Sequence, residues 1–195
     1  MTLSNQALTT IASAKTYMGI SDSSQDAMIE QLINSVSDDI ANRCNRVFLL
    51  AERTEKLNGN GSSDLLLLHY PVTEITSVSI DTTVIDADEY SLDNGSGMLT
   101  RLGSAWPDGQ KMTITYTAGY ILPYQASSGA TPVVPTLPYD LEMACIKMIA
   151  ADINRKGSEH EKTEGLGPLQ AAFLDNDYSE SVLTILERYK RPVIV

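Results

Sequence analysis

The chain has 195 residues, 43% of them apolar and 20% charged, which is the composition of a folded globular protein and excludes the disordered class. Its 25 acidic and 14 basic residues give a net charge of −11, which excludes tight, sequence-independent nucleic-acid binding as a general function. The first residues do not form a signal-peptide pattern, and no apolar run approaches the ~18 residues of a membrane span. We therefore expect a protein of the cytoplasm, or of a particle assembled there, with no membrane partner.

Two helices are predicted before residue 48. Thr9 or Thr10 can cap the first helix, which Gly19 ends in the position where a left-handed residue is usually needed. Asp22 or Ser23 is expected to cap the second helix, whose apolar residues recur every four positions. This second helix should run to about Cys44. Its opposite, solvated face is expected to carry Glu30, Asp38, Asp39 and Arg43.

After Phe48 the period of the pattern changes to that of β-strands. Turn-forming residues separate six short runs. In these runs apolar and polar residues alternate, or β-branched and aromatic residues are frequent. The runs are residues 54–57, 65–68, 75–80, 89–92, 98–101 and 111–117. Their spacing predicts a compact antiparallel β unit, either a meander or a small sandwich, without βαβ crossovers.

Residues 121–137 contain three prolines among small residues and are predicted to form an extended loop. Pro138 and Asp140 then suit the first turn of a helix. Two rows of apolar residues occupy most of the surface of this helix. Its own chain or a neighbouring copy should therefore cover it on more than one side. The rows are Leu141, Cys145 and Met148, and Ile146, Ile149 and Ile153.

The last part of the chain combines a polar segment, a helix and an apolar end. Residues 157–176 are the best candidate for a mobile segment, and an amphipathic helix then stops before Pro192. A basic cluster precedes the apolar residues 193–195, which either pair with a partner or fold back on their own core. The cluster consists of Arg188, Lys190 and Arg191.

These elements together predict an α+β fold in which amphipathic helices flank an inserted antiparallel β unit. Residues 1–47 and 137–195 should form one helical domain, and residues 48–120 an inserted β domain. Residues 121–136 should be the connecting loop.

The residues give no catalytic, cofactor or metal site. Cys44 and Cys145 lie in apolar helical patterns and should be buried, reduced thiols. His69 and His160 accompany no nucleophile motif, and we expect ordinary structural or solvated histidines.

An acidic window lies between Lys56 and Arg101, where no Lys or Arg occurs. It predicts a solvated surface or a wall that repels a passing polyanion. The most closely spaced acidic residues of this window are a conceivable Ca²⁺ site. Their spacing matches no calcium loop, however, and we prefer the interpretation as a solvated turn. These residues are Asp86, Asp88, Glu89 and Asp93.

Three segments carry a family resemblance through their order and spacing. They are the helix pair in residues 8–48, the strand end in residues 115–120 with the helix start in residues 137–141, and the last helix in residues 185–192. In these segments the chain resembles the head-tail connector, or adaptor, proteins of tailed bacteriophages, the phage gp6-like family. One departure is local: the family commonly has Thr-Gly-Arg where this chain has Cys44, Asn45 and Arg46.

The resemblance implies a non-enzymatic, structural protein of the virion neck, assembled in the bacterial host cytoplasm. It implies a homo-oligomeric ring, about twelvefold, that extends the DNA channel below the portal protein and docks the next neck, tail or stopper protein. Genomic DNA would pass without specific binding. The implied portal contact comprises Arg188, Tyr189, Arg191, Pro192, Ile194 and Val195.

Two other functions stay open at this point. The alternative is a non-enzymatic binding module whose β unit recognises a ligand or another virion protein. A third hypothesis is a hydrolase that uses the carboxylates of Asp86, Asp88 and Asp93, with a substrate that the sequence does not name.

Overall fold

The structure is a computed structural model that describes residues 2–128, 133–158 and 178–191. The chain forms two compact units: a helical unit of residues 1–46 and 122–195, and a β unit of residues 47–121. The predicted α+β class is confirmed, since helices flank two antiparallel sheets.

The helical unit contains five α-helices within the described ranges. They are α1 (Ile11–Met18), α2 (Asp26–Cys44), α3 (Pro123–Ser128), α4 (Tyr139–Ser158) and α5 (Glu180–Tyr189). The two longest, α2 and α4, pack against each other, and α1 and α5 both contact this pair.

The ends of α1 are capped as predicted. The Thr10 hydroxyl accepts a hydrogen bond from the Ser13 N–H at 3.1 Å, and Gly19 ends the helix with φ +69°. The predicted cap of α2 is wrong, because the helix starts at Asp26 with Gln25 as its N-cap residue. Asp22 instead closes a local turn, in which its carboxylate accepts a hydrogen bond from the Ser24 N–H at 2.8 Å.

The expected extended loop before α4 is interrupted by α3, so this prediction is wrong for residues 123–128. Pro123 opens α3 at a position that needs no amide donor, and Ala126 N–H donates to the Leu122 carbonyl at 3.0 Å. Six residues are too few for a helical period to show in the sequence. The start of α4 fits the prediction, since Leu141 N–H donates to the Pro138 carbonyl at 3.1 Å.

The core of the helical unit is wider than the apolar pattern of α2 predicts. Glu30, expected on the solvated face, is only 9% exposed, and Ser37 is also buried. The Ser37 hydroxyl accepts a hydrogen bond from the Leu8 N–H at 3.0 Å, so the N-terminal segment covers this side of α2. The fully enclosed apolar side chains include Ile29, Ile33, Ile40, Leu141, Cys145, Met148 and Ile149.

The β unit contains seven strands, which form two sheets. They are β1 (Ala51–Asn58), β2 (Asp64–Leu66), β3 (Val72–Ile80), β4 (Thr83–Val84), β5 (Tyr90–Asp93), β6 (Met98–Arg101) and β7 (Lys111–Ala118). One antiparallel sheet has the order β1-β7-β3-β4 and the other β2-β6-β5. Because β1 pairs along its whole length with β7, a simple meander is excluded.

Both sheets cover one common hydrophobic core, as in a small sandwich. Trp106 and Tyr116 are its largest enclosed side chains, and Leu99, Met112 and Ile114 surround them. The Tyr116 hydroxyl donates to the buried Glu55 carboxylate, which also accepts the Leu68 N–H at 3.2 Å. The one buried acid of this unit is therefore hydrogen-bonded, as a charge in a core must be.

The first and last residues of the β unit lie side by side. Leu50 N–H donates to the Tyr120 carbonyl at 2.8 Å, and Tyr120 N–H donates to the Phe48 carbonyl at 2.7 Å. Gly119 permits this approach, because it has φ +111° and a Cβ there would lie 2.5 Å from the Leu49 carbonyl oxygen. The unit is thus closed at its base by backbone hydrogen bonds.

Candidate functional site

The end of α5 meets the end of α2 and the start of α4, and we call this place the α5 junction. Val182 and Leu186 are the buried residues of α5 and face this helix pair. The Cys44 thiol lies 3.5 Å from the Leu186 carbonyl oxygen, to which it donates. The last turn of α2 therefore supports the last turn of α5 directly.

Asp140, in the first turn of α4, accepts two side chains from α5. The Tyr189 hydroxyl donates to Oδ1 at 2.6 Å, and Arg188 Nη2 lies 3.1 Å from Oδ2. The Arg188 side chain is 61% exposed, so its ion pair alone contributes little to stability. The N-terminus of α4 favours the negative charge of Asp140, and each carboxylate oxygen of Asp140 has a partner on α5.

The C-terminus of α2 holds the backbone that leaves α5. Asn45 adopts the left-handed conformation with φ +50°, and Arg46 N–H turns back to the Ala41 carbonyl at 3.0 Å. Arg46 Nη1 then donates to the Tyr189 carbonyl at 3.3 Å. Arg191 N–H donates to the Cys44 carbonyl at 2.9 Å, which gives one of the last carbonyl groups of α2 a partner.

The structure brings together three of the six residues predicted to contact the portal. Arg188, Tyr189 and Arg191 all belong to the α5 junction, whereas Pro192, Ile194 and Val195 lie outside the described residues. Sequence reasoning missed the contacts of Asp140 and Arg46 with α5, which lie far apart in the chain. The only local signal was the placement of Asp140 in the first turn of a helix.

A second candidate surface is an apolar groove between α1 and α4, with a volume of about 510 Å³. Tyr139 is 84% exposed and Tyr17 49% exposed, and Met143 also reaches the solvent. Opposite them, the Thr9 hydroxyl donates to the Glu142 carboxylate at 3.0 Å and ties the N-terminal segment to α4. The helix predicted to be covered on several sides is thus covered by α1, α2 and α5, with one apolar strip left open.

The two cysteines are buried and free, as predicted. Burial raises the pKa of the Cys44 thiol to about 11, and the nearby Arg46 charge opposes this shift. Burial also raises the pKa of the Cys145 thiol to about 12, and the hydrogen bond between Cys145 and Ser37 opposes this shift. Both thiols are therefore protonated and unreactive at neutral pH.

The acidic residues between Lys56 and Arg101 are all exposed. Asp93 accepts the Ser96 hydroxyl at 2.7 Å and the Gly95 N–H at 3.1 Å, and the Ser96 bond is the main reason that the pKa of Asp93 is lowered. Asp86 and Asp88 are exposed. In residues 2–128, 133–158 and 178–191, no group of three His, Cys, Asp or Glu side chains is arranged to hold a metal ion.

The histidines and the helices give no other site in the described part of the chain. The backbone N–H of His69 donates to the Tyr116 hydroxyl at 3.2 Å, and His160 lies outside the described residues. Of the helices that the structure describes, none combines the length and apolar character needed to cross a bilayer.

Comparisons with known proteins give one family and a set of similar folds. A family model described as "Head completion protein" matches residues 7–192. Comparison with the curated proteins gives no match. Among solved structures, a chain from the neck of an empty gene transfer agent particle, computed with C6 symmetry, is 18% identical. The match covers 100% of this chain and 95% of that chain, with a TM-score of 0.57.

A chain from the virion of a native gene transfer agent particle is 19% identical, with the same coverage and a TM-score of 0.58. At these identities the two solved structures are evidence about the fold, whereas the family model spans nearly the whole sequence. The chain belongs to the head completion protein family, a family of structural proteins of the virion neck, and this confirms its resemblance to the head-tail connectors of tailed phages.

Proposed function

We propose that this protein is a non-enzymatic head-tail connector that forms a ring below the portal, extends the DNA channel and docks the next neck, tail or stopper protein. The observation that carries the proposal is the family match over residues 7–192. The match includes all of the β unit and most of the helical unit, so we assign the function to the whole fold.

A ring is supported by the neck structure that this chain resembles, which was computed with C6 symmetry. Sixfold symmetry accommodates six copies of a protein or a multiple of six, so a ring of about twelve subunits is compatible with it. In a ring each subunit meets its neighbours through two different surfaces. The apolar groove between α1 and α4 is a surface of the kind that such a contact needs.

The charge of the chain suits a channel through which DNA slides. The β unit carries ten acidic and four basic residues, a net charge of −6 within the chain total of −11. Tight DNA binding requires clusters of Lys and Arg that release counterions from phosphates. A surface of this sign lets genomic DNA pass without holding it.

The α5 junction supports the portal contact made by Arg188, Tyr189, Arg191, Pro192, Ile194 and Val195. The junction fixes the base of this segment through Asp140, Arg46 and Cys44. The segment combines basic side chains with the apolar residues that follow Arg191. Extended apolar segments of this kind fill grooves or add to sheet edges of a partner.

Co-purification with the portal protein of the same particle, followed by particle imaging, tests this function. We expect a ring on the portal for the full chain. Deletion of residues 191–195 should abolish the complex and leave the subunit folded by circular dichroism. A second deletion, of residues 192–195 alone, keeps the hydrogen bond from Arg191 to Cys44 and serves as the control for damage to the junction.

Unchanged portal binding by both deletions would remove the residue assignment. A chain that never binds the portal, but binds a glycan or a peptide as a monomer, would favour the alternative binding module.

A further inference from the structure

We propose that Asp140 is a positioning residue for the portal-binding segment, an inference that rests on the proposed portal contact. By holding Arg188 and Tyr189 together, Asp140 sets the point and the direction in which the chain leaves α5. It acts through these two residues and does not itself touch the portal.

The geometry supports this role because Asp140 joins elements that are distant in the chain. Its two oxygens receive Tyr189 at 2.6 Å and Arg188 at 3.1 Å, and the three residues belong to two different helices. By contrast, the ion pair Arg43–Asp39 joins two residues of the same helix, α2. Only a contact of the first kind can orient a segment relative to the core.

The neighbouring contacts restrict the same backbone from the other side. Arg46 Nη1 binds the Tyr189 carbonyl at 3.3 Å, and the Cys44 carbonyl accepts the Arg191 N–H at 2.9 Å. With Asp140 in place, both the side chain and the carbonyl of Tyr189 are bound. A segment whose base is held in this way loses less conformational freedom when it binds a partner.

The same helix pair offers a matched control at its other end. Asp152 on α4 accepts the Tyr178 hydroxyl at 3.4 Å and the Arg155 guanidinium at 2.8 Å. Asp152 thus contacts one residue beside the start of α5, Tyr178, whereas Arg155 belongs to α4 itself, and neither partner is among the residues proposed to meet the portal. Its loss should affect stability without changing the direction of the portal-binding segment.

The experiment compares full-length Asp140→Ala, Asp140→Glu, Asp152→Ala and the deletion of residues 192–195. Purified portal protein is the probe, binding is measured by calorimetry or surface plasmon resonance, and thermal unfolding is recorded for each variant. We expect Asp140→Ala to weaken portal binding about tenfold, because the side chains of Arg188 and Tyr189 must then be ordered when the segment binds. Asp140→Glu should restore part of this loss, and Asp152→Ala should bind like the wild type.

The outcomes separate this inference from the function on which it rests. A wild-type chain that does not bind the portal would contradict the proposed function. Wild-type binding that survives the deletion would contradict the segment assignment. Binding that the deletion abolishes but Asp140→Ala leaves unchanged would overturn the role of Asp140.

A purely structural role is also distinguishable. It predicts that Asp140→Ala and Asp152→Ala lose portal affinity equally, in proportion to their loss of stability, and this result would overturn the inference. If Asp140→Ala does not fold, Asp140→Asn takes its place, since the amide oxygen can still accept the Tyr189 hydroxyl.

Discussion

The helical unit and the β unit bury their side chains in different ways. The β unit closes around Trp106 and Tyr116, and its buried acid Glu55 has hydrogen-bond partners inside the unit. The helical unit also has a sealed core, but it leaves an apolar groove open between α1 and α4. It also holds the end of α5 by polar contacts with Asp140 and Arg46. The difference is that the helical unit leaves an apolar groove between two of its helices, whereas the β unit seals its core and exposes apolar side chains such as Val84 and Leu102 on an acidic surface.

The largest expected effect concerns the thiols of the helical core. With the pKa of Cys44 raised to about 11 and that of Cys145 to about 12, the reactive thiolate is scarce at pH 8. Compared with the unfolded chain, alkylation should be slower by roughly a hundredfold at Cys44 and roughly a thousandfold at Cys145. The rates should rise about tenfold for each pH unit below these pKa values, which mass spectrometry of iodoacetamide-treated protein can measure.

The β unit provides the control, because it has no cysteine of its own. Val84 is 67% exposed, so a Val84→Cys variant should react at the rate of an ordinary thiol. Rapid alkylation of Cys145 in the folded protein would show that the helical core opens easily.

The next effect concerns the centre of the β unit. Trp106 is completely buried, so Trp106→Ala should cost about 3–5 kcal/mol of unfolding free energy. If each unit depends on its own core, hydrogen exchange should accelerate in the strands before it does in α2 and α4. Tyr139→Ala, at a position that is 84% exposed, should leave exchange unchanged. Equal acceleration in both units would show that they unfold together.

A smaller effect is expected at the buried hydrogen bond of the β unit. Tyr116→Phe removes the hydroxyl that donates to Glu55 and leaves the buried carboxylate with the Leu68 N–H. The loss should be about 1–3 kcal/mol, measured by urea unfolding. Burial, followed by the Glu55 hydrogen bond, raises the pKa of Tyr116, so the hydroxyl stays a donor over the whole accessible pH range. A neutral result would mean that water replaces the lost donor.

The smallest effect concerns the turn after α2. Asn45 has φ +50°, which glycine adopts without strain and alanine does not. Asn45→Ala should destabilise the helical unit by about 1 kcal/mol, and Asn45→Gly should be neutral or stabilising by a few tenths. Thermal unfolding of the two variants measures the difference. If Asn45→Ala is as stable as Asn45→Gly, the left-handed conformation is not required in solution.

Local patterns predicted the elements well where a period could develop. The four-residue repeat of α2 and the alternation in β7 both appear in the structure, within a residue or two of the expected ends. Short elements such as α3 and β4 carry no period and were missed. The α2 cap was misplaced because Asp22 finds a closer partner in Ser24.

Long-range pairing was the other source of error and omission. Nothing in the strand sequences shows that β1 lies beside β7, or that two sheets share one core. The candidate site shows the same limit, since the basic cluster of α5 was visible in the sequence and its partners on α4 and α2 were not. Residue type predicts what a side chain can bind, whereas the folded chain decides which partner is within reach.

The hydrogen-bonded base of the β unit has a consequence for the helical unit. Because the strands enter and leave through two neighbouring backbone points, Phe48 and Tyr120, a body of another size could occupy the same place while the helices keep their packing. A longer, shorter or exchanged module between these two points is therefore expected to leave the helical core unchanged.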